Sequence, residues 1–248
     1  MAGIEDAIAD LKAEHDEIDR LLTDLRDEQW SLTTTPEGWD IRDQVSHLAD
    51  TNEICVDTVL GGPRPLNEYA KEFSSPDALT ESGCERGRAM TPQQVLAWFR
   101  DSASGVRAAL TECDPGVRIN WGLGMSARMM VTARLMEHWA HHYDIRRALG
   151  LGPSISPRLK SIAFLSLRAV PYALGYAQAQ QPPGTLRATL TFGDETWELG
   201  PADADNAVTG DALEFCLLGV RRATRDETSL KAEGPLAEAA LDNLRAFL

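Results

Sequence analysis

The residues with the greatest chemical potential lie in one stretch, Arg134-Leu-Met-Glu137-His-Trp-Ala-His141-His-Tyr-Asp144. A carboxylate and an imidazole four positions apart, Glu137 and His141, can reach a single ion from one α-helix. At about 100° per residue, Arg134, Glu137, His141 and Asp144 fall within an arc of about 80°, stacked over three turns. They include every formally charged residue between Met129 and Ile145. The remainder of that span (Met129, Met130, Val131, Leu135, Met136, Trp139, Ala140, Tyr143) is largely apolar all round, the mark of a buried helix. Buried charges in one stripe must be paired or hold a metal.

A third ligand has to come from another element. His47 lies in a second amphipathic segment, residues 41–57, whose apolar stripe is Val45, Leu48 and Cys55. It stands about 100° from Leu48, beside that stripe, and its helix can lie against the first in a bundle. His47, Glu137 and His141 would form a three-ligand site with an open fourth position, the pattern of a catalytic rather than a structural zinc. Arg134 and Asp144, one turn either side, could orient those ligands. Spacing alone leaves two alternatives open. One is a three-histidine set of His47, His138 and His142, on a face about 100° away. The other is a metal-free network of Arg134, Glu137 and Asp144, because ion-pair networks mimic sites.

The elements that must position these residues follow from periodicity. Residues 4–28 carry Ile8, Leu11, Ile18, Leu21, Leu22 and Leu25 at helical spacing. His15, set among Glu14, Asp16 and Glu17, reads as a solvated surface histidine. Asp40 can cap the helix over 41–57. Residues 66–90 are polar and poorly periodic, which predicts a long loop with a short helix, able to wall or cover a site. Thr91-Pro92 starts a third helix, residues 116–124 read as a loop, and Ser126 caps the fourth helix, which ends near Gly150. Four helices with long connections make a bundle. The Gly/Pro-rich stretch 151–157 separates two domains, 1–152 and 153–248. Beyond it, a fifth helix is expected over 158–177. Strict alternation over 185–192, a Gly193-Asp194 turn and a return over 196–199 make a β-hairpin. A third strand at 206–208, a helix over 211–222, a strand over 229–233 and a closing helix over 235–247 complete a small α+β unit on an antiparallel sheet.

The totals bound the function. The chain has 248 residues, 43% of them hydrophobic, enough for a sizeable core. A net charge of −14 argues against nucleic acid and anionic membrane surfaces as natural partners. No apolar run approaches the roughly 20 residues of a spanning helix. The first residues, Met1-Ala-Gly-Ile-Glu-Asp, are unlike a signal peptide, and four dispersed cysteines without CxxC spacing fit a reduced, cytoplasmic protein. No acidic residue occurs between Ile145 and Gly193, whereas Arg146, Arg147, Arg158, Lys160, Arg168 and Arg187 do. This stretch is either a positive field for an anionic substrate or a set of ordinary surface bases. GxSxG, HExxH and P-loop motifs are missing, and no feature specifies an oligomeric state.

Gly38-Trp39-Asp-Ile-Arg-Asp43-Gln-Val-Ser-His47-Leu resembles the first metal motif of the mycothiol-dependent maleylpyruvate isomerase family. Arg134-x-x-Glu137-x-Trp139-x-His141-x-x-Asp144 resembles its second. The resemblance implies an α+β chain with an N-terminal DinB-like, metal-binding four-helix bundle and a C-terminal domain similar to sterol-carrier proteins. It implies His47, Glu137 and His141 as ligands of a divalent metal, usually zinc, and a low-molecular-weight thiol, mycothiol, as co-substrate. The family also has a functional arginine in a C-terminal Gly-Arg segment. Here the segment reads Leu218-Gly219-Val220-Arg221-Arg222, with one residue intervening, so Arg221 or Arg222 would take that role. The implied activity is cis–trans isomerisation, or S-transfer, on a small, electrophilic and anionic substrate. From the residues alone two other functions stand beside it. One is a non-catalytic binding protein whose C-terminal domain holds an apolar ligand. The other is a metal-dependent hydrolase, for which only Asp144 or Asp50 could be offered as base.

Overall fold

A computed structural model of the protein describes residues 3–114 and 116–246. The chain divides into two compact units, Met1–Ser154 and Ile155–Leu248, the division falling inside the Gly/Pro-rich stretch 151–157.

In the N-terminal unit the bundle consists of α1 (Ile4–Thr23), α2 (Ile41–Leu60), α5 (Pro92–Glu112) and α6 (Ala127–Ala148), with α3 (Leu66–Tyr69) and α4 (Pro76–Arg88) between the second and third of these. Side-chain caps set the starts of three of them. Asp40 accepts from the Asp43 amide at 2.9 Å, Thr91 from Gln94 at 3.3 Å and Ser126 from Met129 at 3.3 Å, each satisfying an otherwise orphan donor. A core of Ile18, Leu22, Trp30, Ile41, Val45, Leu48, Val95, Phe99 and Ile145 joins the four helices. Within residues 116–124, expected as loop, Arg118–Ile119 (β1) begins a two-stranded hairpin with Met125–Ser126 (β2), which leads directly into α6.

Two expectations for this unit are corrected. Residues 66–90 are predominantly helical, and α4 packs along α2. Its sequence lacks an apolar period because it docks through backbone and charge. A Cβ on Gly87 would lie 1.8 Å from Ser46 Oγ, and one on Gly83 would lie 2.9 Å from Asp50 Cβ. The closely approached helices are clasped by Arg88, bidentate on Asp43 at 2.8 and 3.1 Å, and by Arg86 on Glu53 at 2.6 Å. His15 is not solvated but 3% exposed, and Glu14 beside it is fully buried. His15 falls one turn after Leu11 and one before Ile18, so it lies on the buried face of α1 despite its acidic neighbours.

The C-terminal unit comprises α7 (Leu159–Arg168), α8 (Val170–Tyr176), β3 (Leu186–Phe192), β4 (Glu195–Leu199), β5 (Asn206–Asp211), α9 (Ala212–Gly219), β6 (Lys231–Glu233) and α10 (Pro235–Asn243). The helix expected over 158–177 is broken at Ala169, because Pro171 in the first turn of α8 has no N–H to continue the ladder. The sheet order is β4-β3-β5-β6. Its outer pairs are antiparallel, whereas β3 and β5 are parallel. β4 and β5 flank β3 and are antiparallel to each other, so a short link across the end of β3 joins them and no long crossover is needed. Ala188, Leu190, Trp197, Val208, Phe215 and Leu241 are buried.

Gly87→Ala is expected to destabilise the protein by about 1–3 kcal/mol through overpacking against Ser46. Adding Ser46→Gly should recover most of that loss, a coupling that urea unfolding of the double-mutant cycle measures.

Candidate metal centre

The site is built where α2 meets α6. A tight loop delivers the chain into α2. The Trp39 amide donates to the Pro36 carbonyl at 3.1 Å, with Gly38 at φ +80°, and the Thr34 amide donates back to the Trp39 carbonyl at 2.8 Å. A left-handed residue inside such a turn is the place for glycine. With Asp40 capping the helix, Gln44, His47 and Thr51 follow at intervals of three and four and share the face turned toward α6.

His47, Glu137 and His141 come together there, each offering one ligand atom and all three atoms within 4.8 Å of one another. Glu137 Oε2 lies 3.9 Å from His47 Nε2 and 3.5 Å from His141 Nε2. These separations are long for direct hydrogen bonds. They are close to the edge of about 3.3 Å expected between ligands that share one tetrahedral zinc at about 2.0–2.1 Å bonds. The donor set, two imidazole nitrogens and one carboxylate oxygen, is that of a three-ligand catalytic site, and the residues therefore fit such an ion. The Glu137 side chain is 25% exposed and those of His47 and His141 11%, so the cluster reaches solvent. Trp39 forms a wall beside it, its ring centroid 5.4 Å from that of His47 and 6.2 Å from that of His141. Burial would raise the Glu137 carboxyl, but the His141 and His47 imidazoles against it and the nearby Arg134 cation outweigh burial and hold it well below the ordinary carboxylate range.

Behind the cluster, Arg134 and His138 of α6 are met by side chains of α2. Arg134, 2% exposed, donates to Thr51 Oγ1 at 2.9 Å and to Asn52 Oδ1 at 3.1 Å. His138 donates from Nδ1 to the Arg134 carbonyl at 2.7 Å, and its Nε2 accepts from Asn52 Nδ2 at 3.3 Å. Both nitrogens are occupied, so His138 has no lone pair to offer an ion. His142 Nδ1 lies 2.7 Å from Glu14 Oε1. Among the described residues the three-histidine set of His47, His138 and His142 is not assembled. The groups that could hold a metal are His47/Glu137/His141 and the separate Glu14/Glu17/His142.

The ring of His141 finds its Nδ1 partner in Gln44 Oε1, at 2.5 Å, on α2 rather than in Asp144 on its own helix. Sequence reasoning passed over Gln44, Thr34, Thr51 and Asn52. The available signal was helical spacing, since Gln44 lies one turn before His47 and Thr51 one turn after. Asp50, offered as a hydrolytic base, is committed to Arg64 at 2.8 Å, and Asp144 is fully buried. The two predicted arginines close α9 in the C-terminal unit. Arg221 is exposed and adopts φ +60°. Its amide donates to the Leu218 carbonyl at 3.1 Å and that of Arg222 to Leu217 at 2.8 Å, a Schellman cap with arginine where glycine is customary. Arg222 Nη1 donates to the Val220 carbonyl at 2.9 Å. No cysteine is placed as a nucleophile. Burial pushes the Cys55 thiol up to about 12 and raises Cys84 and Cys216 further, and Cys113 is raised as well.

Residues 11–146 match the family model described as the mycothiol maleylpyruvate isomerase N-terminal domain. Uncharacterized proteins from two strains of Mycobacterium tuberculosis are 32% identical over 243 residues, covering 97% of this chain and 94% of theirs. Among solved structures, a crystal structure of the mycothiol-dependent maleylpyruvate isomerase shares the fold, with a TM-score of 0.65 at 15% identity, covering 98% of this chain and 97% of that one. A histidine-to-alanine mutant of the same enzyme aligns with a TM-score of 0.62 at 16% identity and the same coverage. No helix among the described residues is long and apolar enough to cross a membrane.

Burial, with nearby cations, also lowers His15, and burial, with His15 and Arg134 beside it, lowers His138, both to well below the usual histidine value. Below pH about 6.5 the unfolded chain then binds protons that the folded chain refuses, so stability falls with pH by up to about 1.4 kcal/mol per unit for each histidine. The acid limb of stability is therefore expected to begin near pH 6.5 rather than at carboxylate pH values. His15→Gln should make it shallower, as urea unfolding on either side of the ~6.5 histidine value would show.

Proposed function

The chain belongs to the mycothiol maleylpyruvate isomerase family, and from that premise we propose that it is a metal-dependent enzyme that uses a low-molecular-weight thiol, of the mycothiol type, to isomerise a small anionic electrophile or to transfer the thiol onto it. The observation that carries the reading is the convergence of His47 Nε2, Glu137 Oε2 and His141 Nε2 at the spacing of ligands around one ion. These three residues would hold a divalent metal, zinc by the chemistry of the donors. Bound there, the metal would supply an open position at which a thiol is favoured as its thiolate.

The residues of this chain supply the rest. Glu137 is the single anionic ligand, so the thiolate would enter a centre of net positive charge, to which buried Arg134 adds. Trp39 walls one side of the cluster and limits the directions of approach. The thiolate sulfur then adds to a carbon of a conjugated cis double bond, and the electron pair of that bond passes to the activating carbonyl. The former double bond, now single, rotates. Return of the electron pair re-forms the double bond in trans geometry and expels the thiolate, so the thiol is regenerated. In S-transfer the adduct is instead protonated and released. With every cysteine raised in pKa, the sulfur comes from the small thiol and not from the protein. By the family resemblance, Arg221 or Arg222 would take the role of the family's C-terminal arginine.

Protein purified without chelator should contain one zinc per chain. His47→Ala, Glu137→Gln and His141→Ala should lose it, and His138→Ala should retain it. Zinc-free wild-type protein, or zinc equally lost in His138→Ala, would count against the assigned centre. Incubation of the protein with candidate thiols and cis-enone acids, read by mass spectrometry, separates the reactions: an isomerised acid with unchanged thiol indicates isomerase, and a thiol adduct indicates transferase. Arg221→Gly relieves the left-handed backbone, worth about 1 kcal/mol, while removing the guanidinium. A more stable variant with raised KM would give the family arginine's role to Arg221, and an unchanged KM would remove Arg221 from it.

A further inference from the structure

The orientation of the His141 ring is determined by a chain of hydrogen bonds that begins at a backbone carbonyl. Thr34 Oγ1 donates to the Trp39 carbonyl at 3.1 Å. A carbonyl has only lone pairs, so the Thr34 hydroxyl spends its one proton there and can only accept elsewhere. What it accepts is a proton from Gln44 Nε2, at 2.8 Å. The amide nitrogen of Gln44 therefore faces Thr34, and its oxygen faces His141. Gln44 is fully buried and Thr34 9% exposed, so little water is at hand to reverse the order. An amide oxygen only accepts, so the ring nitrogen 2.5 Å from it, His141 Nδ1, must carry the hydrogen. In a neutral imidazole the lone pair is then at Nε2, the atom 3.5 Å from Glu137 Oε2.

We propose that Gln44 is a positioning residue that, anchored through Thr34 to the Trp39 carbonyl, locks His141 in the Nδ1–H form and aims its Nε2 lone pair at the metal position. The consequence for metal binding rests on the proposed metal centre, whereas the tautomer does not. His138, three positions earlier on the same helix, shows what the relay achieves. It too is protonated at Nδ1, but its Nε2 lone pair is consumed by Asn52. The choice of an amide matters as well. A carboxylate in place of Gln44 would orient the ring equally but would set a second anion beside Glu137 and diminish the positive charge that favours a thiolate.

The test uses the full chain, with nitrogen-15 NMR of the histidine rings in zinc-free protein to read the tautomer and chelator competition to read zinc affinity. Wild-type His141 should show the Nδ1–H signature. Gln44→Leu should lose that preference and weaken zinc binding by about 10–100-fold. Gln44→Glu keeps an acceptor and should retain the tautomer and the affinity. Thr34→Val, at the outer end of the relay, lets the amide turn over and should shift both readouts in the direction of Gln44→Leu, so the proposal stays testable if the buried substitution fails to fold. Wild-type tautomer and zinc affinity in Gln44→Leu and Thr34→Val would overturn the proposal, as would an Nε2–H ring in zinc-free wild type. A wild-type protein with the Nδ1–H signature that takes up no zinc would support the relay and overturn the metal centre instead.

Discussion

α6 brings charged and imidazole side chains into the interior of the bundle, where burying a polar group without a partner is costly. Much else in the N-terminal unit meets that requirement. Arg134, Glu137, His138 and His141 lie along one seam, and α2 answers them with Gln44, His47, Thr51 and Asn52. The match depends on the register between the two helices. A slip of one residue would rotate each α2 group by about 100° out of the seam. The devices that set the start and position of α2 therefore also set the site: the Thr34–Trp39 loop, the Asp40 cap and the glycine-mediated clasp of α4 against Ser46 and Asp50.

The five histidines of the chain show how environment assigns different roles to one residue type. His15 is held against Arg107, with 2.5 Å between Arg107 Nη1 and His15 Nδ1, His138 is closed by Arg134 and Asn52, and His142 faces Glu14. Only His47 and His141 converge with Glu137 into a shared group. The partners on α2 are mainly neutral amides and a hydroxyl, so they fix orientation without adding charge. The charge balance at the seam is then set by Glu137 and Arg134.

Much of the architecture was legible in the chain. Apolar periodicity gave the four bundle helices, and Asp40, Thr91 and Ser126 marked three of their starts at the positions where the side chains cap. Alternation over 185–192 marked the strand at the centre of the C-terminal sheet. The failures have physical causes. α4 packs through Gly83, Gly87 and paired charges, and so carries no apolar stripe for periodicity to detect. His15 looked solvated because its sequence neighbours are acidic, yet helical geometry turns it to the same side as Leu11 and Ile18. The break at Ala169 and the parallel β3–β5 pair arise from a proline within a helical run and from strand order, and apolar patterns encode neither.

At the site, the sequence by itself determined which residues could act. One charged stripe on an apolar helix, with Glu137 and His141 four apart, follows from composition and helical pitch, and His47 was the candidate third ligand from spacing. It could not distinguish Glu137/His141 from His138/His142, since both pairs have the same interval. The tertiary structure separates the two pairs, gathering Glu137 and His141 with His47 and giving His138 and His142 other partners. Asn52 takes the Nε2 lone pair of His138, Glu14 faces His142, and Gln44 meets His141 at Nδ1, with Nε2 on the Glu137 side. These partners lie between 86 and 128 residues away in the chain and meet the histidines only when the helices pack.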